Sequence, residues 1–326
     1  MTANVLWPVM ADAPIRYNCP EIWSVVGESY ISLYLKHASK RALPIIFKNA
    51  SKSKGKEQPY LDNFVESIVL DLIAKKKPNL LTAHLIELDH ERHVSGLHEP
   101  VTYDILRRLD QRVGRILEAA KKAGIYDKTD FVLLGDHGGT NFTHVVYMNT
   151  LFEEAGFVQI DQNRLITSWK VYANSCGGST HIHFHPTCDP ASKEKIIQLL
   201  HTLSAKPDSF IKHLYTKAEV QQKYHLSGDF EYVIEPMDGF IFHGEVAERG
   251  VIARNEVANC FVADHGHEPT HPDLKTILFA KGPRIQKGVI LEKACIVDEG
   301  PTFAAILGLE MKTVDGSILN ALIKKF

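Results

Sequence analysis

The chain has 326 residues, with 37 Lys and Arg against 39 Asp and Glu, a formal net charge of -2. Hydrophobic residues make up 44% and charged residues 23%, which excludes long disorder, and the near-neutral balance argues against nucleic acid as the main partner. At about 150 residues per domain the length predicts one large domain or two smaller ones, able to build a core without disulfides.

Cys19, Cys176, Cys188, Cys260 and Cys295 are odd in number and scattered, with no C-x-x-C pair. That is the usage of incidental thiols rather than of a disulfide framework or a cysteine zinc site. No apolar run is long enough to span a bilayer, and residues 1–10 lack a basic stretch followed by an apolar one, so no membrane segment or signal peptide is read. The compartment stays open. One count stands apart: 17 histidines, many beside Asp or Gly.

Along the chain, an apolar stretch at 5–9 leads to a turn at Asp12-Ala13-Pro14, and Cys19-Pro20-Glu21 reads as a helix start with Pro in its first position. Leu61, Phe64, Val65, Ile68, Val69, Leu72 and Ile73 recur at helical spacing, predicting a helix over 59–75 that stops at a basic turn and Pro78. Residues 80–88 form an apolar run read as a buried strand of a parallel sheet. A long amphipathic helix over 102–123 ends at Gly124, and 131–134 is a second buried strand, completing a βαβ unit.

The middle differs. Short strands are expected at 157–160, 169–172 and 180–184, a helix near 190–203, and two strands within 231–242 around Pro236-Met237-Asp238-Gly239. Apolar strands return at 259–263 and 276–280, and two helices close the chain near 302–307 and 317–325. The expected fold is α/β: a mostly parallel sheet flanked by helices, built from 1–154 and 251–326, with a smaller α+β lobe over 155–250.

Three predicted strands end in the same chemical vocabulary: Asp89-His90-Glu91-Arg92-His93, Gly135-Asp136-His137-Gly138-Gly139 and Asp264-His265-Gly266-His267. In open α/β sheets ligands bind beyond the carboxyl ends of the strands, so the three segments are expected to converge. Carboxylate and imidazole together suit zinc, or manganese or iron, and five candidate ligands without a thiolate suit two ions better than one. A lone Asp-His-Gly is often only a turn, and an Asp before a helix often only its cap. His181, His183 and His185 share one face of a strand and read as surface or satisfied residues, with a stray metal site as the minor alternative.

Asp89-x-x-x-His93-x-x-Gly96, Asp136-His137-Gly138 and His265-Gly266 resemble the metal-binding motifs of the type I phosphodiesterase/nucleotide pyrophosphatase branch of the alkaline phosphatase superfamily. Trp7-Pro8-Val9, Pro20-Glu21, Gly135, Pro301-Thr302 and Leu307-Gly308-Leu309 extend the resemblance over almost the whole chain. It implies an alkaline-phosphatase-like fold and a hydrolase of phosphodiester or nucleotide pyrophosphate bonds acting on a small-molecule phosphoester or nucleotide. It also implies two divalent cations, with zinc expected. Asp89, His93 and His265 would hold one, and Asp136 and His137 the other, weaker one. The motif Asp264-His265-Gly266-His267 is the least regular match, and leaves His267 as a rival to His265.

The resemblance also implies a first strand bearing a metal-binding Asp, and a nucleophilic Thr or Ser opening the next helix, both ahead of Trp7. Residues 1–6 offer neither, and Thr2 lacks the rigid support that a nucleophile needs. No catalytic nucleophile is therefore assigned, the expected chain is a shortened one, and a missing central strand would leave an apolar sheet edge open. Two other readings remain: an inactive metal-binding relative that kept the scaffold, and a superfamily hydrolase of phosphomonoesters or phosphonates. A sulfatase is not expected, since the given sequence shows no C/S-x-P-S-R motif.

Overall fold

The computed structural model describes residues 1–24 and 27–324. Two compact units emerge: Met1–His90, Pro100–Asp136 and Ile277–Phe326 form the first, and Glu91–Glu99 with His137–Thr276 form the second.

In the first unit, β1 (Thr2–Val5) lies between β2 (Tyr17–Cys19) and β3 (Leu80–Ala83) in a parallel sheet. Val5 is in register with both Cys19 and Ala83, so the three strands finish level with one another. Helix α1 (Tyr30–His37) starts at Ser29, whose hydroxyl accepts the Ile31 N–H, and is followed by α2 (Leu43–Asn49) and α3 (Tyr60–Lys75). Helix α3 buries Leu61, Phe64, Val65, Ile68 and Leu72 in one core with Ala3 and Val5. Burial of each large apolar side chain contributes about 1.5–3 kcal/mol. Helix α4 (Glu87–Ser95) is one continuous element although the division between units falls within it. After α5 (Pro100–Lys122), Gly124 takes a left-handed φ of 70° and turns the chain toward β4 (Phe131–Leu134).

The second unit opens with β5 (Thr140–Asn141), β6 (His144–Tyr147) and α6 (Met148–Glu154), then a hairpin of β7 (Val158–Ile160) and β8 (Ile166–Trp169). Next come β9 (Val171–Ser175), β10 (Thr180–Phe184), α7 (Pro190–Ser204), β11 (Ile211–Thr216), α8 (Lys217–Tyr224) and β12 (Tyr232–Pro236). The sheet β11-β12-β10-β9 is antiparallel throughout. It packs Ile182 and Ile234 against Ile196 and Leu200 of α7. Helix α7 has Asp189 as N-cap and Pro190 in its first turn, and Thr216 and Glu219 close a reciprocal capping box on α8. The remaining strands are β13 (Phe240–His243), β14 (Val251–Ala253) and β15 (Ala263–Asp264); β6 lies between β13 and β14, and β5 pairs with β15. The chain then returns to the first unit with β16 (Leu278–Lys281), antiparallel to β4, and α9 (Glu299–Ile306).

Several expectations are corrected. The sheet is not one mostly parallel sheet: among the described residues, parallel pairing is confined to β1 with β2 and β3 and to β6 with β13. The apolar run 80–88 is strand only as far as Ala83, because the backbone winds into α4 at Glu87. Strands β3 and β4 are not the fully buried strands expected. Among the described residues β3 pairs with β1 alone and β4 with β16 alone, and Leu80 and Leu133 stay 39% and 43% exposed. Cys19-Pro20-Glu21 opens no helix, since Cys19 ends β2. The strands expected at 169–172 and 259–263 shift or shrink: the first is replaced by β8 and β9, and the second is reduced to β15 by the left-handed φ of 54° at Asn259.

The helix expected over 317–325 does not form over 317–324, and Lys325 lies outside the described residues. Ile323 instead bridges to Ile285, and Leu322 packs with Ile285 and Ile306. In the second unit β5 pairs with β15, and β6 with β13 and β14.

Candidate metal centre

Helix α4 changes what Asp89 and His93 can do. Four residues apart on a helix, they stand on one face, one turn above the other. His265 follows β15 directly, and Asp89, His93 and His265 offer one ligand atom each within 4.8 Å of one another. One carboxylate oxygen and two imidazole nitrogens are a donor set that could hold a metal ion.

Backbone carbonyls orient two of the imidazoles. His93 Nδ1 lies 2.8 Å from the Ala263 carbonyl oxygen, which can only accept, so Nδ1 carries a proton and donates it. The Asp264 carboxylate approaches the same nitrogen at 3.8 Å. His137 is arranged alike, with Nδ1 2.9 Å from the Gly138 carbonyl oxygen. The His265 ring lies 3.9 Å from that of His137 and 5.0 Å from that of His93, centroid to centroid, so His265 neighbours both.

Close backbone approach explains the glycines. Gly266, with φ 97°, sits where a Cβ would run into the Cys176 carbonyl oxygen, and the Gly178 N–H donates to the His265 carbonyl at 2.7 Å. At Gly138 no left-handed φ is involved; a Cβ there would meet the Asp273 carbonyl.

The family model for type I phosphodiesterase / nucleotide pyrophosphatase matches residues 2–266, which contain all five candidate ligands. The chain belongs to this family. Human ectonucleotide pyrophosphatase/phosphodiesterase family member 5 is 20% identical over 258 residues, covering 77% of this chain and 47% of that protein. Venom phosphodiesterase 2 of Crotalus adamanteus is 31% identical over 120 residues, 35% of this chain and 14% of the relative. The chain thus spans less than half the length of these curated relatives. Among solved structures, murine family member 5 superimposes with a TM-score of 0.64 at 16% identity, covering 99% of this chain and 72% of that one. An inactive form of the murine protein in complex with AMP gives 0.63 over the same share of this chain.

Within this family member, His267 is separate from the cluster. It is buried, its Nε2 is 3.5 Å from Thr140 Oγ1, and its ring stands 5.6 Å from that of His271. Burial, with His271 beside it, depresses its proton affinity. His181, His183 and His185 are engaged by Phe230, the Asp229 carbonyl and Trp169, respectively. Asp136 follows β4 by two residues, and Gly135 just before it donates its N–H to the Ile277 carbonyl.

His84, which the sequence did not single out, stands beside Asp136, and Glu21 meets the other side of its ring. His84 Nε2 is 3.7 Å from Asp136 Oδ2, and His84 Nδ1 is 3.3 Å from Glu21 Oε2. Burial weakens proton binding at His84, but the hydrogen bond and charge of Glu21 outweigh it and raise its pKa. What the two share is position: Glu21 lies two residues past β2 and His84 one past β3.

Proposed function

We propose that this chain carries the metal centre of a hydrolase acting on phosphodiester or nucleotide pyrophosphate bonds. The observation that carries the reading is the convergence of Asp89, His93 and His265, within the region matched by the family model. These three residues would hold one divalent cation, with zinc favoured by the donor set, and Asp136 and His137 would take part in holding a second. A bound cation there supplies Lewis-acid polarisation of a phosphoryl oxygen. The AMP complex of the murine relative supports a nucleotide as the ligand class.

The protein's own contribution is orientation. Ala263 fixes the tautomer of His93, and Gly138 that of His137, so that each presents Nε2. Helix α4 holds Asp89 and His93 in one rigid spacing.

A second reading is a metal- and nucleotide-binding protein without turnover. Thr2 opens β1 opposite Leu80, at the far end of the strand from Val5 and roughly 10 Å from the end that His84 adjoins. That position does not suit a nucleophile. Calorimetric titration of the metal-stripped chain with Zn2+, then with AMP, tests the shared part: tight zinc uptake and zinc-dependent AMP binding are expected. Zinc uptake that is unaffected by Asp89→Asn would overturn both readings. A nitrophenyl phosphodiester assay separates them. Turnover that survives chelator treatment and returns with metal supports the hydrolase, and binding without turnover supports the second reading.

A further inference from the structure

His84 is built like a metal ligand. It lies one residue beyond β3, and its backbone N–H donates to the Val5 carbonyl at 3.0 Å, so β1 fixes where its side chain starts. Its Nδ1 is met by Glu21 Oε2, and the other Glu21 oxygen accepts the Trp23 indole N–H at 2.8 Å. Glu21 is thereby clamped, two residues beyond β2. A carboxylate that accepts from Nδ1–H sets the tautomer and leaves the Nε2 lone pair for a cation, the arrangement found behind most metal-bound histidines.

The Nε2 of His84 faces Asp136. Their separation of 3.7 Å is too long for a good hydrogen bond between them. It is close to the spacing of two donors that share one cation at about 2.0–2.2 Å each. Glu21, His84 and Asp136 also follow the ends of β2, β3 and β4, where ligands of α/β sheets gather.

We infer that His84 is a protein ligand of the second cation site, alongside Asp136, with Glu21 as its positioning residue. The inference rests on the reading of Asp136 as a cation ligand. It gives that site an imidazole donor drawn from a part of the chain that no metal motif marks.

The test is calorimetric titration of the metal-stripped full chain with Zn2+, comparing wild type, His84→Ala, Glu21→Gln and Asp89→Asn, with folding checked by circular dichroism. Wild type is expected to take up two equivalents, one weaker than the other. His84→Ala should abolish the weaker site and leave the stronger unchanged. Glu21→Gln should keep two equivalents but weaken the second about 10–100-fold. Asp89→Asn should remove the stronger site and spare the weaker. Two equivalents of unchanged affinity in His84→Ala, or a wild type that binds a single ion, overturns the inference. If His84→Ala does not fold, an unchanged second affinity in Glu21→Gln overturns it instead. A stronger site that survives Asp89→Asn, beside a weaker one lost in His84→Ala, sinks the proposed function and spares the inference.

Discussion

Asp62 accepts the backbone N–H of Glu87 at 3.3 Å, and its other oxygen accepts that of Ile86 at 2.9 Å, so a side chain of α3 caps the helix that carries Asp89 and His93. The first N–H groups of a helix have no partner within it, and a fully buried carboxylate satisfies two of them here. The side chain of Glu87 is held in turn by Arg108 at 2.6 Å and by Arg112 at 3.5 Å. The start of α4 is therefore fixed from two sides.

If that fixation positions the ligands, Asp62→Asn should lower the affinity of the stronger zinc site by tenfold or more, while secondary structure is kept. The amide retains one acceptor and turns a donor toward the second N–H. Calorimetric titration of the metal-stripped variant checks this, and an unchanged affinity would show that α4 holds its place without the cap.

Glu66 offers an internal comparison of two arginines on one carboxylate. Arg112 is 3% exposed and lies 2.7 Å from Glu66 Oε2, whereas Arg115, on the other oxygen, is 51% exposed. Arg112→Ala removes the buried partner that Glu66 and Glu87 share, leaving Arg115 on the first and Arg108 on the second, and should destabilise the chain by about 3 kcal/mol. Arg115→Ala should cost about 1 kcal/mol or less. Urea unfolding of the two variants side by side is the measurement, and equal losses would contradict the argument.

Zinc should stabilise the fold as well as fill the site. A ligand that binds only the folded state adds about 2.7 kcal/mol at a concentration of 100 times its dissociation constant. Thermal unfolding should thus shift upward with zinc, fall back with a chelator, and lose most of the shift in Asp89→Asn. A shift retained in full by that variant would place the stabilising ion elsewhere.

Stability should also decline toward alkaline pH because of Glu235. Burial, with the neighbouring charge of Glu268, pushes its pKa up to about 7 although its oxygens accept the Glu268 N–H. Glu268 is also partly buried, but Tyr224 and Lys212 hold it down at about 2. A folded pKa above the unfolded value gives stability that is present below about 4.5 and lost as pH rises through about 7, here about 3 kcal/mol. Glu268 acts in the opposite sense, losing its contribution as pH falls from about 4.5 toward 2. Glu235→Gln should flatten the decline between pH 5 and 8, which denaturant midpoints across that range would reveal.

Helices α3 and α5 were legible because seven or so apolar residues repeat at one period. Strand β4 was legible because it is short, apolar and bounded. Strands β1 and β2 were not, since four and three residues are too few to display alternation. The metal motifs showed which residues matter but not their setting: Asp89 and His93 were read beyond a strand, whereas the helix itself gives their spacing. The contact of His84 with Glu21 escaped notice because they meet across 63 positions, and no local pattern encodes a contact of that range. The missing closing helix has a similar cause. Thr302 accepts the Leu319 N–H through its hydroxyl, and Ile323 is tied to Ile285, so distant partners override the local helical signal.

The tight passage at Gly266 reaches beyond this one chain. Because the Cys176 carbonyl occupies the space a side chain would need, a homologue with any other residue between the two histidines cannot follow this backbone path. Its loop at 176–178 or its histidine segment must run elsewhere. Position 266 therefore works as a marker in sequence surveys, separating relatives whose histidine geometry can be transferred from this structure from those whose alignment across the motif is only textual.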